Sequence, residues 1–141
     1  MIEGLHAGTT LPVLERSLQY MSARHRLLTN NLANIETPGF RPVDVSPQAF
    51  QAALRDAIDA GQTEKDGSIS FDGSAPVAVT EGGMVLKPDV LAENIMFHDG
   101  NDRSVERIMQ KITENVYTYR LASQMLRNRF DSISMAIRER F

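Results

Sequence analysis

The sequence predicts a mainly α-helical protein in which two long terminal helices form an antiparallel coiled-coil pair around a short helix and a small irregular, β-containing middle segment. Three observations predict this fold. Apolar residues near both ends recur at alternating spacings of four and three, as in heptad helices. Residues 101–141 contain neither glycine nor proline, whereas residues 61–83 contain five glycines. We therefore expect three segments, 1–40, 41–100 and 101–141.

The first segment should contain a helix from about residue 11 to 35. Thr10 is a suitable N-cap, and Pro12 would be tolerated in the first turn. His25 interrupts the apolar positions, and we expect a buried imidazole that sets register rather than a metal ligand. This N-terminal stripe consists of Leu14, Leu18, Met21, His25, Leu28, Leu32 and Ile35.

The helix should end at the tripeptide Thr37-Pro38-Gly39. The residue before a proline is disfavoured in the α region, and Gly39 can adopt the positive φ of a type II turn. Asparagine is a poor interior helix former and costs about 0.5 kcal/mol relative to alanine. Since three asparagines lie in the last helical turn, we expect their amides to form specific hydrogen bonds. They are Asn30, Asn31 and Asn34.

The middle segment, residues 41–100, has four basic and ten acidic residues and so carries a charge of −6. Ser46-Pro47 should begin a short amphipathic helix with Phe50, Leu54 and Ile58 on one face and Gly61 after its end. Residues 77–79 and 84–86 read as short strands of a possible hairpin, with another extended run at 94–97 and a turn at 98–101. Between residues 61 and 83 the pattern fits either strands or a loop.

The last segment should be one helix of about 37 residues, or about 55 Å. Its apolar positions define a C-terminal stripe made of Ile112, Val116, Tyr119, Ser123, Leu126, Phe130, Ile133 and Ile137. A helix this long exceeds what one partner helix of the same chain can cover, so we expect part of both stripes to contact other chains.

Composition and motifs indicate a protein that is not an enzyme. The chain has no cysteine, and its three histidines lack partners at metal-ligand spacing. No phosphate-binding glycine loop or catalytic constellation is present, so we expect neither metal nor cofactor. The acidic middle segment disfavours nucleic acid. No secretory signal or run of about 18 apolar residues occurs, which by itself indicates a soluble cytoplasmic protein without a membrane span.

The string from residue 30 to 40 resembles the N-terminal signature of the bacterial flagellar axial proteins, which include the rod, hook and hook-associated proteins. The matching residues form an assembly motif, Asn30, Asn31, Leu32, Ala33, Asn34, Thr37, Pro38, Gly39 and Phe40. Asp99-Gly100-Asn101 and the pattern from Asn115 to Arg120 are similar to the last helix of rod proteins, although Arg103 and Ser104 depart from it. The Arg-Ala-Tyr-Glu-Ala-Asn string of other rod and hook proteins is missing, which favours the proximal rod.

The resemblance implies a structural subunit of the flagellar basal body rod. Its terminal helices would assemble into a helical tube that transmits torque and surrounds the export channel. Implied partners are further copies of the chain, other rod proteins, the rod-to-ring adaptor FliE and the flagellar export gate. The implied location is the periplasmic rod, reached by type III export without a cleaved signal peptide. The motif asparagines would bond between chains or to the turn, and Leu32 and Phe40 would anchor it.

Two alternatives remain open. Heptads at both ends and an acidic centre also suit a cytoplasmic coiled-coil export chaperone or adaptor. The resemblance is also compatible with a different rod protein, such as FlgC.

Overall fold

The computed structural model describes residues 7–61, 68–90 and 105–138. Within these ranges the chain forms three helices and four short strands. The helices are α1 (Ala7–Ala33), α2 (Pro47–Asp59) and α3 (Val105–Arg138). The strands are β1 (Val43–Asp44), β2 (Val77–Thr80), β3 (Gly83–Leu86) and β4 (Asp89–Val90). The extended run predicted at 94–97, the turn at 98–101 and the Asp99-Gly100-Asn101 motif lie outside the described residues.

Helices α1 and α3 pack against each other in antiparallel directions, which confirms the predicted fold class. The Asn115 side-chain amide donates to the main-chain oxygen of Met21 at 2.9 Å. Further along, Thr10 lines a cavity together with Met125 and Ser132. Residue numbers therefore fall along α1 as they rise along α3. At 27 and 34 residues, the helices are about 40 and 51 Å long.

The two helices meet on a face of α3 that is displaced from the predicted C-terminal stripe. The buried residues of α3 are Ile108, Asn115 and Ala122, spaced by seven. Heptad packing is therefore present, but its phase differs from that of the stripe. The side chains of Asn115 and Ala122 are small enough to allow the two backbones to approach, and the large apolar residues of the stripe are left at the flank of the contact.

Two expectations for α1 were wrong. The helix begins at Ala7, so Thr10 lies within it and is not the N-cap, while Pro12 occupies its sixth position. A proline so near the start removes one intrahelical hydrogen bond, which a well-packed helix tolerates. His25 is exposed rather than buried, because the inner face of α1 is centred on Tyr20, Arg24, Leu28 and Asn31 and His25 lies beyond the edge of that face.

Helix α2 forms as predicted. The hydroxyl of its N-cap Ser46 accepts a hydrogen bond from the Ala49 N–H, and a proline occupies the first turn. Gly61 follows the helix with a φ of 65°. One detail differs: Ala57 completes the buried face, while Ile58 is 36% exposed.

The strands form two small antiparallel pairs. Strands β2 and β3 make the predicted hairpin, with Val77 opposite Leu86, and β1 pairs with β4. These elements and α2 pack on α1 rather than forming a separate core. The Tyr20 and Phe50 rings are stacked at 4.1 Å. The shared core contains Tyr20, Met21, Val45, Phe50, Leu54, Ala57, Ile69, Val77, Met84 and Ala122.

Candidate assembly site at the turn and the helix stripes

The Pro-Gly turn has the predicted type II form. The Phe40 N–H donates to the Thr37 oxygen at 3.1 Å, and Gly39 has a φ of 75°. Pro38 supplies the fixed φ of the second turn position. Thr37, Pro38 and Gly39 are exposed, whereas Phe40 is half-buried. The chain thus leaves α1 through a rigid turn whose tip projects into solvent.

Asn31 fixes the chain that follows this turn. Its side chain is fully buried. The amide nitrogen donates to the Val43 oxygen at 2.6 Å, and the amide oxygen accepts from the Val43 N–H at 3.3 Å. One side chain therefore satisfies both main-chain polar groups of a single half-buried residue, as a neighbouring strand would. This explains why an asparagine is placed inside a helix.

Asn34 closes the end of α1. Its amide nitrogen donates to the main-chain oxygen of Asn30 at 2.8 Å and to the Asn30 side-chain oxygen at 2.9 Å. The Asn34 N–H also donates to the Asn30 oxygen at 3.1 Å. A helix end leaves several carbonyls without partners, and these contacts satisfy one of them. Asn31 and Asn34 thus bond within the chain, whereas the Asn30 side chain remains exposed.

A buried ionic cluster that sequence reasoning missed lies close to the turn. Asp44 accepts from the Arg24 guanidinium at 2.9 and 2.7 Å, and Lys111 of α3 lies 3.3 Å from the same carboxylate. Burial opposes the charge of Arg24, but the hydrogen bonds and charge of Asp44 outweigh it and raise the pKa of the guanidinium. The sequence could have indicated that Arg24 is buried, because it lies four residues from both Tyr20 and Leu28 and thus on the inner face of α1.

The predicted stripe residues fall into three groups. Met21 and Leu28 are buried; Leu14, Leu18, Leu32, Ile35, Ile112, Val116 and Leu126 are half-buried; Tyr119, Phe130, Ile133 and Ile137 are exposed. The exposed side chains retain 42%, 55%, 39% and 57% of their accessible surface. Thus the C-terminal stripe becomes more exposed toward the end of α3.

A cleft of about 360 Å³ lies at the seam of the two helices, lined by α1 and α3 alone. Its walls include Val116 and Tyr119, with the basic side chains of Arg26 and Arg120 and the exposed imidazole of His25. The seam is therefore partly apolar and partly basic. Such a surface can receive side chains from another molecule, since nothing from the middle segment lines it.

Within the described ranges, no group of three acidic, histidine or cysteine residues is placed to hold a metal ion. Likewise, none of the described helices combines the length and apolar character needed to cross a bilayer.

Comparison with known proteins agrees with the turn motif. No family model matches the chain. A curated flagellar basal body rod protein, however, aligns with 128 residues at 21% identity, covering 91% of this chain and 92% of the relative. The chain is therefore similar over most of its length to a flagellar basal body rod protein, in agreement with the resemblance of the motif. The relative in question is FlgB of Bacillus subtilis (strain 168).

Proposed function

We propose that this chain is a structural subunit of the bacterial flagellar basal body rod and that it belongs to the proximal rod. The similarity to a rod protein along nine-tenths of the chain supports the proposal. The assembly motif at the end of α1 supports it independently. The observation that carries it is the set of large apolar side chains that α3 leaves exposed although it pairs with α1.

The exposed stripe supplies a driving force for association. Full burial of one large apolar side chain contributes about 1.5–3 kcal/mol. Tyr119, Phe130, Ile133 and Ile137 are each about half exposed, so burial of the rest would contribute about 3–6 kcal/mol in total. Association itself costs several kcal/mol of translational and rotational freedom. One stripe therefore supports weak contacts, which become stable when each subunit touches several neighbours.

Such contacts suit a tube. If the stripe packs on a different surface of the neighbouring subunit, the contact is heterologous, and a heterologous contact that does not close generates a helical assembly. In this proposal the terminal helices form the tube wall, which transmits torque and surrounds the export channel.

The turn would act as a rigid connection between the tube wall and the middle segment. Asn31 and Asn34 hold its conformation from within the chain. The exposed motif residues, which a neighbouring subunit can reach, are Asn30, Ala33, Thr37, Pro38 and Gly39. This divides the motif into residues that shape the turn and residues that contact other chains.

The same proposal specifies location and partners. A rod subunit lies in the periplasm and reaches it through the flagellar type III export apparatus without a cleaved signal peptide. Its neighbours would be copies of itself, other rod proteins, FliE and the export gate.

Aspartate substitutions on the exposed stripe test the proposal. Phe130→Asp and Ile137→Asp change residues that contribute little to the core, so the far-UV circular dichroism of the purified chain should stay unchanged. In cells we expect loss of swimming and absence of the protein from isolated basal bodies. Gln124→Asp, on the opposite side of α3, is the matched control and should swim normally.

Normal motility in both stripe variants would contradict the proposal. So would a wild-type chain that is missing from isolated basal bodies and forms a stable dimer at micromolar concentration, since that is the behaviour of a cytoplasmic chaperone or adaptor.

A further inference from the structure

We propose that residues 127–138 of α3 in one copy of the chain bind in the groove that α2 forms with the segments flanking the β2–β3 hairpin of a second copy. This inference rests on the proposed function, because it names the surface that covers the end of the exposed stripe.

The end of α3 has an apolar face flanked by positive charge. Phe130, Ile133 and Ile137 have the i, i+3, i+7 spacing of one helix face. By the same periodicity, Arg127 and Arg138 lie along one edge of this face and Arg129 along the other. None of these three arginines forms an ion pair with another residue of the described part of the chain.

The groove offers a complementary surface. It has a volume of about 660 Å³ and lies between α2 and the segments that flank the β2–β3 hairpin, residues 72–76 and 87–89. Its α2 side presents alanines, among them Ala49, Ala52, Ala53 and Ala60. Small side chains allow the large residues of an incoming helix to reach the floor of the groove.

Carboxylates border the groove on both sides. Asp56 belongs to α2, whereas Asp72 and Asp89 come from the opposite wall. The hydrogen bonds from the Ser74 hydroxyl and from a main-chain N–H hold the pKa of Asp72 below its usual value, so this carboxylate stays charged. Lys87 also lines the groove, and its ammonium donates to a main-chain oxygen at 2.6 Å.

The charges favour a second copy of this chain as the occupant. Residues 127–138 of α3 carry three arginines and one aspartate, and the groove carries three aspartates and one lysine. The two surfaces are therefore of opposite sign, with apolar centres. Within one chain they are apart: the end of α3 lines a cavity with Thr10 and Leu14, whereas the groove is lined only by residues between 49 and 89.

Cross-linking of the full-length chain tests this placement. The chain has no cysteine, so single cysteines report one contact each. Ala53→Cys marks the groove and Ser134→Cys marks the edge of the apolar face. Ser132→Cys, two residues away on the other side of α3, is the matched control. Mixed under oxidising conditions, the Ala53→Cys and Ser134→Cys chains should form a disulfide-linked dimer about tenfold faster than the Ala53→Cys and Ser132→Cys chains.

Charge reversal provides a second readout. Arg127→Glu with Arg138→Glu should lower the rate of the Ala53–Ser134 cross-link by about tenfold, because like charges would face each other. Asp56→Lys with Asp89→Lys in the groove-bearing chain should restore it. Both pairs of residues are exposed, so circular dichroism should show unchanged folding.

Preferential cross-linking of Ser134→Cys to another Ser134→Cys chain would overturn the inference and leave the proposed function standing, since the stripe would then pack on equivalent helices. A chain that forms no cross-link with any of these positions and sediments as a monomer at high concentration would overturn the inference and count against the proposed function as well.

Discussion

The substitution Asp44→Asn should destabilise the folded chain more than any other removal of a single charge. Asp44 is the centre of the buried ionic cluster, with its side chain 3% exposed and that of Arg24 5% exposed. Its carboxylate accepts two hydrogen bonds from Arg24 and one from the Val45 N–H, and it contacts Lys111 at the outer end of the cluster. Asparagine keeps the shape but removes the charge.

The loss of stability depends on the charge of Arg24, which Asp44→Asn leaves buried without a charged partner. Breaking a buried ion pair costs about 3–5 kcal/mol, because the remaining charge is buried without compensation. A domain of this size is stabilised by about 5–15 kcal/mol in total, so Asp44→Asn should remove roughly a fifth or more of the stability. Lys111 is 21% exposed, and Lys111→Met should cost only about 1 kcal/mol or less, as for solvent-accessible pairs.

Urea unfolding followed by far-UV circular dichroism measures the loss of stability in the Asp44→Asn and Lys111→Met variants. The double variant Arg24→Met, Asp44→Leu is the informative control, since replacing both partners by apolar residues should cost less than Asp44→Asn alone. A loss of stability below about 1 kcal/mol for Asp44→Asn would contradict this prediction, because it would mean that water hydrates the Arg24 guanidinium once the Asp44 charge is removed.

Three further predictions concern single residues of α1 and the turns. Burial raises the pKa of the Tyr20 phenol. Above the ordinary tyrosine value of 10.0 the phenol therefore ionises more readily in the unfolded chain, and the free energy of unfolding should fall. Urea titrations at rising pH should show a smaller fall for Tyr20→Phe. Asn31→Ala should cost about 2 kcal/mol through two lost hydrogen bonds, whereas Asn30→Ala should cost about 0.5 kcal/mol or less; equal losses would contradict this. In thermal unfolding, Gly39→Ala should lower the stability by about 1–2 kcal/mol. The cause would be the positive φ alone, because the added methyl group would meet no neighbour. Gly73→Ala, where the space is equally open, should leave the stability nearly unchanged.

Local patterns of the sequence predicted the elements well. Helix α2 has its cap, its proline and its terminal glycine within one continuous stretch, and the β2–β3 hairpin has its turn glycines between two apolar runs. Each depends on neighbouring residues only. The type II turn was predictable for the same reason, since Pro38 and Gly39 restrict the backbone by themselves.

The packing face of α3 could not be predicted in the same way. Periodicity identifies a helix with large apolar residues on one face. It does not show whether a partner helix contacts that face or the face next to it. Here α1 packs on Asn115 and Ala122, which have low hydrophobicity, and the larger stripe stays at the flank. Similarly, the partner of Arg24 is twenty residues away along the chain, beyond the range of any helical pattern.

In the proposed function, the stripe of α3 is exposed in the free chain and covered in the rod. Maleimide labelling of Ser134→Cys tests it directly, because this substitution leaves the apolar side chains intact. We predict rapid labelling of the purified chain, strong protection in isolated basal bodies, and rapid labelling again once those basal bodies are dissociated. Equal labelling rates in the free chain and in intact basal bodies would contradict the account.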